Sequence, residues 1–327
     1  MTPTTTMRAA YLHGVRDLRI QTVAVPEPSP DELLVRIEAC GVCPTDVRKY
    51  LIGTHGDGYP LNPGHEWVGR VVRVGEATAG YAVGDRVYGD TYAGYAEYAT
   101  IRAAAGGWSA GAVPVDDALD RDRAVFVEPL ADCLHAVIDQ GRVGPGDRVL
   151  VVGAGQMGLQ LVGAAARACG AVLVTEGLAE RRALATAFGA TATAAADGWL
   201  AAARSFAPTV AILSVPDATI VPDLVEVLQP GGRLVLFAGF GDAPAATLDL
   251  NRIHYRELAV VGSEWIGTPP NTRLERYAEA AALLAAGDVP VELLVTGHCG
   301  LDGLPAAFAA VQERRGLKTV LVPGAAA

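Results

Sequence analysis

The stretch Arg148-Val149-Leu150-Val151-Val152 runs straight into Gly153-Ala154-Gly155-Gln156-Met157-Gly158, and the chain then continues Ala/Leu-rich as far as Cys169. A short apolar run ended by glycine reads as a buried strand, and the longer stretch after it reads as a helix. Glycines spaced this way between strand and helix each have a physical use. Gly153 permits the tight turn, Gly155 lets backbone approach a pyrophosphate, and Gly158 allows helix and strand to pack closely. The helix start, with Gln156 and Met157 in its first turn, offers free N–H groups and the positive end of its dipole to phosphates. A second strand, Ala171–Thr175, ends at Glu176, at about the 20-residue separation that puts an acid on the adenosine ribose. Such an acid accepts from the ribose hydroxyls and repels a 2′-phosphate, which favours NAD over NADP. Arg181 and Arg182 stand nearby, and either is able to receive a phosphate. The plainer alternative is a glycine turn beside a solvated glutamate. Strand, helix and acid together favour a dinucleotide.

Beyond this unit, further strands are expected at 209–213, 233–237 and 258–261, with helices at 180–188 and 218–228. Alternating strands and helices predict a parallel sheet covered on both faces. Upstream, the runs 33–37, 68–74 and 94–101 are short, β-prone and separated by Gly, Pro and Asp turns. After Gly267, a helix at 273–286 and a strand at 318–322 no longer extend the alternation, so they read as a return to the first domain. The fold class is therefore α/β, a β-rich domain (1–144 and 268–327) with a doubly wound parallel sheet (145–267) between its two parts.

Composition narrows the function. The chain has 327 residues, 51% of them hydrophobic and 19% charged, which suits two compact cores rather than disorder. A formal net charge of -10 argues against a nucleic-acid partner, which needs clustered basic surface. Lys49 and Lys318 are the only lysines among 26 basic residues. The first eight residues lack an apolar signal region, and charges interrupt every Ala-rich stretch before it reaches membrane-spanning length. No membrane association is expected. Five scattered cysteines do not make a disulfide framework, and a reducing cytoplasm is the simplest compartment.

Cys43, His65 and Glu128 are of types that suit zinc, although their separation is far too large for a zinc finger. Taken singly, each has a bland explanation. Their neighbourhoods do not: Cys40-Gly41-Val42-Cys43-Pro44-Thr45-Asp46, Gly64-His65-Glu66-Trp67-Val68-Gly69, Gly84-Asp85-Arg86-Val87, Tyr95-Ala96-Glu97-Tyr98 and Val127-Glu128-Pro129-Leu130. With the glycine turn and the closing Lys318 strand, these segments closely resemble the zinc-dependent medium-chain alcohol and polyol dehydrogenases. The sorbitol, threonine and aminocyclitol branch is nearest, through its Glu-Pro-Leu.

The resemblance implies a GroES-like catalytic domain joined to a Rossmann domain, with the reaction in a cleft between them. It also implies hydride exchange between a secondary alcohol or ketone and NAD, NADP being less favoured, with the metal as Lewis acid. It makes Cys43, His65 and Glu128 zinc ligands, Glu66 a carboxylate that binds the metal directly in some relatives and stands behind it in others, and Thr45 the hydroxyl that takes the substrate proton. Asp46 is structural on this reading. No cysteine lies between Cys43 and Cys133, so a structural zinc is not expected and one zinc per chain is. Arg48 stands where relatives carry a relay histidine, and arginine stays protonated. Lys49, Tyr50, Thr54, His55 and Asp57 follow the metal segment without assigned roles. Glu264 and Trp265 stand within reach of substrate or a second subunit. A homodimer or homotetramer, paired through the strand near 258–261, is implied as well. Two rival readings stay open: a metal-free enoyl or quinone reductase of the same fold, and a non-catalytic NAD-binding protein.

Overall fold

A computed structural model of the chain describes residues 5–54, 56, 58–104, 110–241, 244–265 and 267–324. The chain divides into two compact units. The first comprises 1–128, 268–287 and 291–327, and the second comprises 129–267 and 288–290.

The second unit is built on six parallel strands. In spatial order they are Ala192–Ala194, Ala171–Thr175, Arg148–Val152, Val210–Leu213, Arg233–Leu236 and Ala259–Gly262. By sequence this is the order 3-2-1-4-5-6, with the reversal between Arg148–Val152 and Val210–Leu213. That reversal opens the crevice in which doubly wound sheets hold ligands. The strands at its centre are apolar throughout because helices cover both faces; Val149, Leu150 and Val151 have no exposed surface, nor do Val210, Ala211, Ile212 and Leu213. The unit begins at Pro129, earlier than the 145 expected from the strand pattern. The helix Val127–Leu134 runs on into a π-helical turn, His135–Gln140, which packs against the helix Gln156–Ala168.

The first unit is a seven-stranded sheet with a separate hairpin, Thr6–Gly14 with Asp17–Ala24. Its path is Val295–Cys299, Lys318–Leu321, Glu32–Gly41, Glu66–Val74, Arg86–Gly89 and Val113–Pro114, and Tyr98–Arg102 also pairs with Glu32–Gly41. All pairings are antiparallel except that of Val295–Cys299 with Lys318–Leu321. The core holds Leu33, Val35, Trp67, Tyr95, Leu304 and Phe308. Two pairings position the site. Gly41 stands opposite Glu66, and Val320 stands opposite Gly41. The end of one strand, the start of the next and the strand Lys318–Leu321 therefore converge at one end of neighbouring strands in the middle of the sheet.

Candidate metal and coenzyme sites

Cys43 follows the strand Glu32–Gly41 and caps the helix Pro44–Ile52, and its backbone N–H donates to Asp46 Oδ2 at 3.1 Å. His65 immediately precedes the strand Glu66–Val74. Antiparallel pairing brings these two points together. One ligand atom each from Cys43, His65 and Glu66 lies within 4.8 Å of the others, the one such cluster among the described residues.

The imidazole is held from behind. His65 Nδ1 lies 3.1 Å from the Pro63 carbonyl and 3.0 Å from Asp46 Oδ1. Facing two acceptors, Nδ1 carries the proton, which leaves Nε2 as the ligand atom. Burial alone would lower His65, but the Asp46 carboxylate and the Cys43 thiol hold it well above its ordinary value. Asp46 is itself fully buried and also accepts from the Tyr95 hydroxyl.

Glu66 is held just as firmly. Its Oε2 accepts from Lys318 Nζ at 2.5 Å, and both side chains are buried. Burial would depress the Lys318 ammonium, yet the charges of Glu66, Cys43 and Glu128 keep it raised. A β-carbon on Gly41 would lie 2.1 Å from Glu66 Oε2, so only glycine leaves room for this carboxylate. Glu128 stands in the first turn of Val127–Leu134, outside the 4.8 Å cluster but within electrostatic reach of His65, Glu66 and Lys318. Burial, partly offset by His65, pushes its carboxyl up to about 7. The Cys43 thiol is raised by burial and by Glu66.

One thiol, one imidazole and one carboxylate thus converge where anionic groups are desolvated, with the Glu128 carboxyl within electrostatic reach and Lys318 bound to Glu66. A divalent ion that takes mixed S, N and O donors fits this set, and zinc is such an ion. Thr45 and Arg48 lie exposed on the same helix.

In the second unit, Gly153 has φ +97, and a β-carbon on Gly158 would lie 2.1 Å from the Gly153 carbonyl oxygen. Gly155 caps the helix Gln156–Ala168. Glu176 bridges the turn, with Oε2 accepting from Ala154 N–H at 2.9 Å and Oε1 from Leu178 N–H at 3.0 Å. Arg182 donates to the carbonyls of Glu176 and Gly177 at 2.6 and 2.7 Å, so it is engaged in the turn, and Arg181 lies half-buried beside it. Met157 offers its carbonyl to the Cys133 thiol at 3.5 Å. The Gln156 amide is 5% exposed, and neither its nitrogen nor its oxygen has a hydrogen-bond partner. A buried amide without partners is costly, and a polar ligand at this turn would relieve it. The turn therefore fits a dinucleotide.

Sequence reasoning left Asp46 without a specific contact, gave Lys318 no role and did not raise Tyr92, whose ring meets His65 edge-on with centroids 5.7 Å apart. Two residues noted after the metal segment, His55 and Asp57, lie outside the described residues. Among the described residues no helix is long and apolar enough to cross a membrane.

A GroES-like sheet unit bearing a thiol–imidazole–carboxylate cluster, joined to a Rossmann unit, defines a class of nicotinamide-linked dehydrogenases. Residues 29–115 match the alcohol dehydrogenase GroES-like domain, and residues 146–286 match the zinc-binding dehydrogenase family. The chain belongs to the zinc-dependent medium-chain alcohol and polyol dehydrogenase family. It is 27% identical to a sorbitol dehydrogenase from Bombyx mori, covering 90% of this chain and 92% of that one. It is also 27% identical to D-arabinitol dehydrogenase 1 from Uromyces fabae, covering 97% of each. Its structure superposes with a TM-score of 0.86 on a protein described as a zinc-binding dehydrogenase from Sinorhizobium meliloti 1021, solved with NADP bound. That pair is 26% identical, over 98% of this chain and 100% of the other.

Proposed function

We propose that this enzyme oxidises a secondary carbinol of a polyhydroxylated substrate, a polyol, sugar or cyclitol, transferring hydride to NAD, and catalyses the reverse reduction with the same groups. The observation that carries the reading is the convergence of Cys43, His65 and Glu66 in one cluster, with the buried Glu128 carboxyl within electrostatic reach of it. Zinc held by Cys43, His65 and Glu128 would supply Lewis acidity toward the substrate oxygen, and NAD at the 153–158 turn would supply the hydride acceptor.

The chain's own residues do the rest. Asp46 fixes the His65 tautomer, and Lys318 holds one Glu66 oxygen behind the cluster. The Thr45 hydroxyl takes the substrate's hydroxyl proton. Arg48, always charged, cannot carry it onward, so the proton leaves through water or ribose hydroxyls. In the second unit Gly153 and Gly158 shape the phosphate cradle, and Glu176 favours NAD over NADP by its charge. One zinc per chain, an assembly of two or four copies and a cytoplasmic setting belong to the same reading.

Cys43→Ser with metal analysis tests it. The variant is expected to lose bound zinc and at least 100-fold in kcat/KM, an effect on the order expected when a metal ligand is removed. Full zinc content with near-normal turnover would refute the assignment. A metal-free reductase would keep its activity after chelation, and a non-catalytic NAD-binding protein would reduce no NAD with any alcohol.

A further inference from the structure

Asp46 touches two of the three residues of the cluster. Its Oδ2 accepts from the Cys43 N–H at 3.1 Å, and its Oδ1 lies 3.0 Å from His65 Nδ1. The same nitrogen stands 3.1 Å from the Pro63 carbonyl, so the imidazole is placed by two oxygens. One of them belongs to the backbone and is fixed by the chain. The other belongs to a carboxylate, whose terminal torsion is soft and roughly two-fold. The ring stays in place only if that carboxylate is itself held.

Tyr95 supplies the hold. Its hydroxyl donates to Asp46 Oδ2, the oxygen that also takes the Cys43 N–H, which leaves Oδ1 turned to His65. Burial and the Asp46 charge push this hydroxyl well above its ordinary value, so at neutral pH it is a donor. The ring is locked in turn. Tyr95 is completely buried in the apolar core, tilted against Phe308. The Tyr95 and Gly64 N–H groups both donate to Asn62 Oδ1, at 3.0 and 3.3 Å. A β-carbon on Gly64 would lie 2.6 Å from the Tyr95 ring, so the ring packs directly on the residue before His65. A phenyl ring would serve the packing alone, and a phenol buried without a partner is costly. The hydroxyl at this position is matched to Asp46.

We propose that Tyr95 is a positioning residue of the metal site: by fixing the Asp46 carboxylate, its hydroxyl sets the placement of Cys43 and His65, and so the affinity and geometry with which a divalent ion is held. Its action runs through Asp46. The assignment rests on the zinc reading above and goes beyond it to a residue outside the ligand set. Removing the outer partners of metal ligands weakens metal binding by about 10- to 100-fold.

The test is Tyr95→Phe, which deletes only the hydroxyl, with Tyr81→Phe as a matched control. The Tyr81 hydroxyl lies in the same unit and donates to a backbone carbonyl, that of Ala112, at 2.5 Å. The full chain is stripped of metal, and two quantities are read: the zinc Kd by competition with a chromophoric chelator, and the visible d–d spectrum after loading with Co2+. Tyr95→Phe is expected to raise the zinc Kd about tenfold and to shift the cobalt bands. Tyr81→Phe should leave the Kd within about twofold and the spectrum unchanged. In an Asp46→Ala background, adding Tyr95→Phe should move the Kd by less than about twofold, because the carboxylate it acts through is gone. Urea midpoints show that each variant is folded. A Tyr95→Phe variant with parental zinc affinity, or with the parental cobalt spectrum, overturns the assignment while leaving the dehydrogenase reading intact. So does an equal loss in Tyr81→Phe, or an undiminished loss in the Asp46→Ala background. A parent chain that takes up neither zinc nor cobalt overturns the zinc reading, and this assignment with it.

Discussion

Lys318 and Glu66 are 252 residues apart in sequence and 2.5 Å apart in space, both sealed from solvent. A buried pair of this kind adds little net stability over an apolar one, yet removing one partner strands the other as an uncompensated charge. Lys318→Met is therefore expected to cost about 3–5 kcal/mol in the metal-free protein, read from urea unfolding. Adding Glu66→Gln to it should recover a large part of that loss. A single variant within about 1 kcal/mol of the parent would show that Glu66 is charge-balanced by something else. Gly41 belongs to the same arrangement, since its missing side chain is the space that the Glu66 carboxylate fills. Of these three residues, the sequence marked Gly41 and Glu66 through their neighbours. The lysine was legible only as part of a closing strand. A contact made by strand pairing across the whole chain leaves no local periodicity to read.

At the scale of elements, the strands Arg148–Val152 and Ala171–Thr175 were legible to the residue. Fully buried parallel strands are continuous apolar runs, and glycine or an acid ends each one. Half-buried antiparallel strands were harder. The run expected from residue 94 becomes a strand only at Tyr98, because Gly94 is bound to the Gly64 carbonyl as part of the loop that carries Tyr92. The helix expected over 218–228 begins as a 3₁₀ turn, Ala218–Ile220, and turns α-helical at Val221–Val227, where Pro222 fits the first turn. The turn ending Ala171–Thr175 carries a prediction of its own. The Glu176 carboxylate already bridges two backbone N–H groups around the coenzyme turn, and its charge opposes a 2′-phosphate. Glu176→Ala is expected to narrow the NAD-over-NADP preference in kcat/KM by about tenfold, roughly 1.4 kcal/mol of lost discrimination. A preference unmoved by the substitution would show that specificity is set elsewhere.

At the scale of the whole molecule, the strand Ala259–Gly262 ends the parallel sheet and pairs on one side only, with Arg233–Leu236, among the described residues. The strand and the helix before it expose large apolar side chains. Val260 is 37% exposed, and Leu250 and Tyr255 on the preceding helix are 73% and 78% exposed. An open apolar edge invites pairing with another chain, and natural proteins cover or charge such edges to prevent it. No lysine or proline blunts this one, and Val260 and Val261 are both strongly β-forming. A second copy related by a two-fold axis would cover the edge with the same edge, the commonest closed arrangement for soluble oligomers. The chain is thus expected to sediment as a dimer or a higher even-numbered assembly. In such a dimer Val260→Lys would place two ammonium groups near the symmetry axis and should raise the dissociation constant by at least tenfold, a change on the order of 1.4 kcal/mol. Because the change lies on the far edge from the glycine turn, NAD affinity per chain should stay within about twofold, as expected for distant and independent sites. A parent protein that sediments as a monomer at micromolar concentration would remove this face from consideration as the interface.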